Sequence, residues 1–297
     1  MSKNMKTVLF LFISLLITSS CAVSTPLKTD EKMRSGTWIW GCDYPNKSPK
    51  LQNLFVDNSL FTDIYMSCGH TLLPGGVLKM PTNYTNIIEN IYLYHSNEIR
   101  FHPLVIGCNT VEKLRELVYY PDRVDIFVDK LFTDAYLYDY DGYNFDFEYS
   151  DFNETDSIKF TELLQKLSLK MNGGWNGNNR IISTDIGSTE YPNVVLDRIN
   201  QTNIMAINMA TYTQNFTKFS NELLNQFDTL ALKNSAVGLS CSHYSWDHPP
   251  TRKEVYNRLS LVRDLGIKQV SLFCSWGDVL KDWRWIDGYV EVLPSFV

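Results

Sequence analysis

The stretch DGYNFDFE, Asp141 to Glu148, decides the fold. On an extended strand successive side chains point to opposite faces, and residues two apart share a face at about 6.6 Å spacing. Tyr143, Phe145 and Phe147 therefore stand on one face, and Asn144, Asp146 and Glu148 on the other. An exposed edge strand with its polar face outward is one explanation. Segments of helical period flank the stretch on both sides, however, which marks a central parallel strand, and such strands ordinarily read as continuous apolar runs. The polar face is thus expected inside a closed barrel, where polar groups are costly unless paired or functional. Two neighbouring carboxylates there repel, so one is expected to keep a proton near neutral pH, as a general acid requires.

Outward from this stretch, strand-like runs alternate with amphipathic helices. The other strand candidates are GTWIWGC (36–42), FTDIYMSC (61–68), IRFHPLVIGC (99–108), RIISTDIG (180–187), NIMAINMATY (203–212), SAVGLSC (235–241) and IKQVSLFCSW (267–276). Between them, helical spacing puts Val124, Phe127, Val128, Leu131 and Ala135 on one face, and Phe160, Leu163, Leu164, Leu167 and Met171 on another. A third stripe holds Leu223, Leu224, Phe227 and Leu230, and a fourth, with Val255, Leu259 and Val262, stops at the helix-ending Gly266. The pattern predicts an α/β fold, a single (β/α)8 barrel over residues 34–297. A doubly wound open sheet has the same local pattern, but the GxGxxG phosphate loop that marks it is missing after the early strands. A chain of 297 residues, 44% hydrophobic and without a Pro/Gly/Ser-rich linker, is consistent with one large domain.

Residues 1–21 read as a signal peptide. Lys3 and Lys6 precede an apolar run from Val8 to Ile17, followed by small residues. The run is too short to span a bilayer, which takes about twenty apolar residues. Cys21, directly after ITSS, supports the alternative of a lipoprotein signal, and it is the one membrane attachment expected. The chain is expected to be secreted, anchored at the cell surface, or delivered to a lysosome-like compartment. Export permits disulfides among Cys42, Cys68, Cys108, Cys241 and Cys274. Cys42 has Cys68 or Cys274 as a partner on neighbouring strands, with buried free thiols as the alternative. A net charge of −6 argues against nucleic acid as a partner.

A barrel of this kind carries its active site at the C-terminal strand ends. Those ends here gather Trp40, Tyr44, Asp146, Glu148, Asn208, Tyr212, Tyr244, Trp246 and Trp276. Aromatic rings around a few carboxylates suit sugars, whose flat faces stack while their hydroxyls need polar partners. The bland reading is that 13% aromatic residues populate any rim and that some of these rings are core. No cofactor is expected. His70, His102, His243 and His248 lack the helical spacing of a zinc protease, and the cysteines lack CxxC, so no metal is expected either.

DGYNFDFE also resembles the DGxDxDxE signature of glycoside hydrolase family 18, the chitinases and related endo-β-N-acetylglucosaminidases. Asp141, Gly142, Asp146 and Glu148 keep the register, on the fourth barrel strand as in that family. The resemblance implies hydrolysis of β-1,4 linkages in N-acetylglucosamine-containing glycans by substrate-assisted retention, with Glu148 as acid, Asp146 steadying the substrate acetamido group and Tyr212 bonding its oxygen. It further implies a substrate-binding set of Asn144, Asp141, Trp276, Tyr44, Trp40, Asn208, Tyr244 and Trp246. The chain departs from the pattern at Asn144, where the family has Asp, and at Thr213, where an aspartate usually follows the tyrosine. A chitinase-like lectin and a hydrolase using a conventional carboxylate pair are the competing readings.

Overall fold

In the computed structural model, the described residues are 32–42, 48–56, 60–107, 110–147, 151–173, 180–186, 204–208, 213–226, 235–243, 245–274 and 276–297. The signal segment lies outside them. Nine strands are described: β1 Arg34–Trp40, β2 Asp63–Leu73, β3 Val77–Lys79, β4 Arg100–Ile106, β5 Gly142–Asp146, β6 Ile181–Ile186, β7 Ile204–Asn208, β8 Ser235–Ser240 and β9 Gln269–Phe273. β3 is a short antiparallel addition to β2. The other eight pair in parallel from neighbour to neighbour, and β1 pairs with both β2 and β9, which closes the barrel. The helices outside it are α1 Pro49–Val56, α2 Thr85–His95, α3 Val111–Val118, α4 Pro121–Tyr138, α5 Glu154–Asn172, α6 Phe216–Gln226, α7 Arg252–Asp264, α8 Trp276–Lys281 and α9 Arg284–Val292. The expected (β/α)8 barrel is the observed one.

The local signals explain the elements. Asn153 caps α5 by accepting from the Asp156 N–H while the Asp156 side chain accepts from the Asn153 N–H, and Thr251 and Glu254 make the same reciprocal pair on α7. The apolar stripes of α4 and α5 are buried where their spacing put them. On α6 the stripe is narrower than expected. Leu223 is buried but Leu224 is 56% exposed, and Phe227 and Leu230 lie outside the described residues.

Most of the core lies between barrel and helices. Tyr143, Phe145 and Phe147 of the opening stretch belong to it, with the Phe160 ring of α5 5.4 Å from that of Phe147 and 6.3 Å from that of Phe145. Each such ring taken out of water contributes about 1.5–3 kcal/mol. This apolar face is what turns Asn144 and Asp146 into the lumen. Gly142, the glycine of the signature, is also explained. It sits opposite Ile181 at the base of β5 with φ of 154°, and a Cβ there would lie 1.8 Å from the Ile181 carbonyl oxygen. Only glycine lets β5 and β6 come together at that level.

Candidate functional site

At the N-terminal base of the lumen, Asp63 pairs with Arg34 and Arg100, and the His102 Nε2 lies 2.8 Å from its carboxylate. Above it a small second core forms inside the barrel from Trp38, Tyr65, Leu104, Ile207 and Ala236. The Trp38 and Tyr65 rings are 5.4 Å apart, and Gln269 Nε2 donates to the Tyr65 hydroxyl at 2.5 Å. These layers fill the lower part of the lumen.

Directly above is a polar network centred on Asn144, which is fully buried. The Trp38 Nε1 donates to Asn144 Oδ1 at 3.0 Å and also to Asp185 Oδ2 at 3.2 Å. Asn144 Nδ2 in turn donates to Ser183 Oγ at 3.0 Å and to Asp185 Oδ1 at 2.9 Å. The indole is only a donor, so the amide oxygen must face it and the amide nitrogen must face β6. Both ends of the amide are therefore committed, which is how a buried carboxamide is accommodated.

Asp146, the last residue of β5, stands one lumen position nearer the mouth, level with Ile106 of β4. Burial pushes its carboxyl up to about 6. A carboxyl in that range is populated in both forms near neutral pH, which is what proton transfer or a charge-sensing contact with substrate needs. Glu148, two positions further along the chain, lies outside the described residues, as do Tyr44, Tyr212 and Tyr244.

Trp40 ends β1 and is 47% exposed, a rim aromatic as expected. Other expected site residues are placed differently. Asp141 precedes β5 at its N-terminal end, away from the mouth. It accepts from the Phe101 N–H at 2.8 Å, and the His95 Nε2 lies 2.8 Å from its carboxylate. Burial pushes Asp141 up, but these contacts and nearby His102 outweigh it and hold its carboxyl below the usual range. These contacts pin the start of β5.

Trp276, expected as a sugar platform, is 3% exposed. Its Nε1 donates to the Trp38 carbonyl at 2.7 Å, and its ring meets Phe55 and Phe61 edge-on, so it belongs to the layer between strands and helices. Trp246 is likewise 3% exposed, with the Arg258 guanidinium 4.5 Å from its ring centre. Both rings are spent on packing. On β7, Met205 and Ile207 line the lumen core, whereas Ile204 and Ala206 join the outer one. The ladder sets the backbone of Asn208 opposite Val237.

Asp185 and Ser183 were missed in the sequence. The run RIISTDIG held the signal, since Ile181, Ser183 and Asp185 alternate onto one face and end in a carboxylate beside the opening stretch.

Two disulfides clip neighbouring strand ends at the mouth. Cys42 pairs with Cys68, after β1 and within β2, and Cys241 with Cys274, after β8 and β9, with Cα separations of 5.1 and 4.8 Å. Cys42 has thus taken the first of its two expected partners. Cys108 lies outside the described residues.

No protein-family model matches the chain, and no curated protein matches it by sequence. Solved structures do match in fold. Catalytic domain 2 of the Ostrinia furnacalis Group II chitinase, as a mutant in complex with penta-N-acetylchitooctaose (NAG)5, superposes with a TM-score of 0.66 at 13% identity, over 89% of this chain and 97% of that one. The class V chitinase from Nicotiana tobaccum gives 0.63 at 12%, over 89% and 99%. The spore cortex-lytic enzyme SleL of Bacillus megaterium gives 0.60 at 10%, over 82% and 70%. The chain has the fold of the family 18 chitinases.

Proposed function

We propose that the chain is a glycoside hydrolase that cleaves β-1,4 linkages next to N-acetylglucosamine by substrate-assisted retention. The observation that carries this reading is Asp146, a carboxyl raised to about 6 on the lumen face of β5, two residues before the acid of the signature. Glu148 gives its proton to the glycosidic oxygen as the bond from that oxygen to the anomeric carbon breaks. The acetamido carbonyl oxygen of the substrate attacks the same carbon, replacing the enzyme nucleophile that most retaining glycosidases use. Asp146 holds the acetamido N–H and stabilises the positive charge on the resulting oxazolinium ring. Tyr212 donates to the acetamido oxygen. Glu148, now a carboxylate, takes a proton from the water that opens the ring, which restores the acid and yields the retained hemiacetal.

Trp40 supplies the rim aromatic for an adjacent sugar. The substrate is a chitooligosaccharide or another glycan bearing N-acetylglucosamine, met outside the cytoplasm. Cleavage of residues 1–21 is tested by sequencing the amino terminus of the exported protein.

The test is release of methylumbelliferone from its chitobioside by wild type and by Glu148→Gln. The expected loss in the variant is at least about a hundredfold, the usual worth of a general acid. Two silent proteins that still bind chitooligosaccharides indicate a lectin. A wild type that neither cleaves nor binds them, but cleaves sugars lacking the acetamido group, indicates a conventional carboxylate pair and overturns the assisted mechanism.

A further inference from the structure

We propose that Asp185 is a positioning residue of this site, the anionic neighbour that orients Asn144 and keeps the proton on Asp146. Asp185 is 1% exposed, and each of its carboxylate oxygens accepts a hydrogen bond, Oδ2 from Trp38 and Oδ1 from Asn144. N–H donors aimed at both oxygens favour the charged form. The ladder pairs Phe145 with Thr184, which brings the next residues, Asp146 and Asp185, level on the lumen face of adjacent strands. Strands so paired lie about 4.8 Å apart. Two carboxyls on neighbouring strands at one level repel when both are charged, so they do not both ionise as readily as either alone. The one fed by N–H donors keeps the charge and the other keeps the proton.

The chain has lost the carboxylate that its signature carries at position 144 and has one in the neighbouring strand instead. Asn144 links the two strands, its amide nitrogen fixed by Ser183 and Asp185 and its oxygen by Trp38. Of the titratable groups in the lumen, Tyr65 of β2 lies within electrostatic reach of Asp185. Ile106 of β4 is level with Asp146, Ile207 of β7 is level with Asp185, and Trp38 of β1 closes the far side. Glu148 lies outside the described residues.

The effect on turnover rests on the glycosidase reading, but the effect on Asp146 does not, so the test begins with protonation. Carboxyl-carbon NMR titration of the full chain, with the two resonances assigned through Asp146→Asn and Asp185→Asn, reads both groups. In wild type, Asp185 is expected to remain ionised at about pH 5, where Asp146 is protonated; a protonated Asp185 at that pH overturns the proposal. In Asp185→Asn the Asp146 midpoint is expected to fall by about one unit or more, whereas Ser183→Ala, which removes a partner of Asn144 without removing charge, leaves it in place. An unchanged midpoint in folded Asp185→Asn also overturns it. The wild-type measurement stands if that variant does not fold.

If wild type hydrolyses the chitobioside, the acid limb of its kcat profile, set by ionisation of the Asp146 that steadies the oxazolinium ring, is expected to move to lower pH in Asp185→Asn together with the Asp146 midpoint. A limb that stays while the midpoint moves overturns the link to catalysis. If wild type is inactive, the titration still decides the pairing of Asp146 and Asp185.

Discussion

Asn144 and Asp146 share one face of β5 but not one environment. Asn144 is fully buried with both ends of its amide engaged, whereas Asp146 stands at the mouth with its carboxyl pushed up to about 6 by burial. A carboxyl whose folded pKa lies above its unfolded value of about 3.9 binds its proton more tightly in the folded state, so stability falls as pH rises between the two values. The displacement corresponds to at most about 3 kcal/mol at neutral pH. Asp146→Asn is therefore expected to raise the unfolding free energy by about 1–3 kcal/mol near pH 7.5 and to change it little near pH 4. Urea unfolding at both pH values checks this, and an equal effect at the two would contradict it.

Trp38→Phe keeps a ring against Tyr65 but removes the donor shared by Asn144 and Asp185. Two buried acceptors lose a partner, at about 1–3 kcal/mol each if no water enters. The expected result is a clear drop in melting temperature with the fold retained by circular dichroism. A variant as stable as wild type would mean that the network is already hydrated.

Gly142→Ala asks for a Cβ 1.8 Å from the Ile181 carbonyl oxygen, which only separation of β5 from β6 can relieve. Loss of soluble protein or a penalty above about 4 kcal/mol is expected, in the range reserved for gross steric conflict. Gly75→Ala is the comparison. Gly75 also has positive φ, 79°, but its nearest neighbour would be 3.8 Å from the new Cβ. Its cost is expected near the 1–2 kcal/mol of left-handed backbone alone. Expression yield and thermal melts distinguish the two.

The disulfides span 26 and 33 residues of sequence. Closing loops of that length removes about 3–4 kcal/mol of unfolded-chain entropy each. The double variant Cys241→Ser/Cys274→Ser is expected to lose about 2–4 kcal/mol, and reductant to destabilise wild type in the same direction. Melting with and without dithiothreitol measures it. A reductant-insensitive melt would show that the four thiols are not paired.

The alternation of DGYNFDFE, the apolar stripes of α4 and α5 and the breaker at Gly266 are local properties, and the barrel, its strand sequence and the inward turn of Asn144 and Asp146 follow from them. A strand flanked by helices must give its apolar face to those helices, so Tyr143, Phe145 and Phe147 left no choice. Where both faces of a strand are apolar, period two names two faces without saying which is inside. On β7 the ladder with β6 and β8 made that choice, putting Met205 and Ile207 into the lumen.

Aromatic identity was equally ambiguous. Trp40 stayed at the rim, while Trp276 and Trp246 went into packing, because a ring stacks on a sugar, a phenylalanine or a guanidinium with similar chemistry. Asp141 went to the base because the chain has to be anchored before β5 can begin. By itself, then, the sequence determined the barrel and the polar face of its fourth parallel strand, since both rest on periodicity. The partner of that face, Asp185, was decided by tertiary structure alone, since it reaches Asn144 across a strand ladder from 41 residues away.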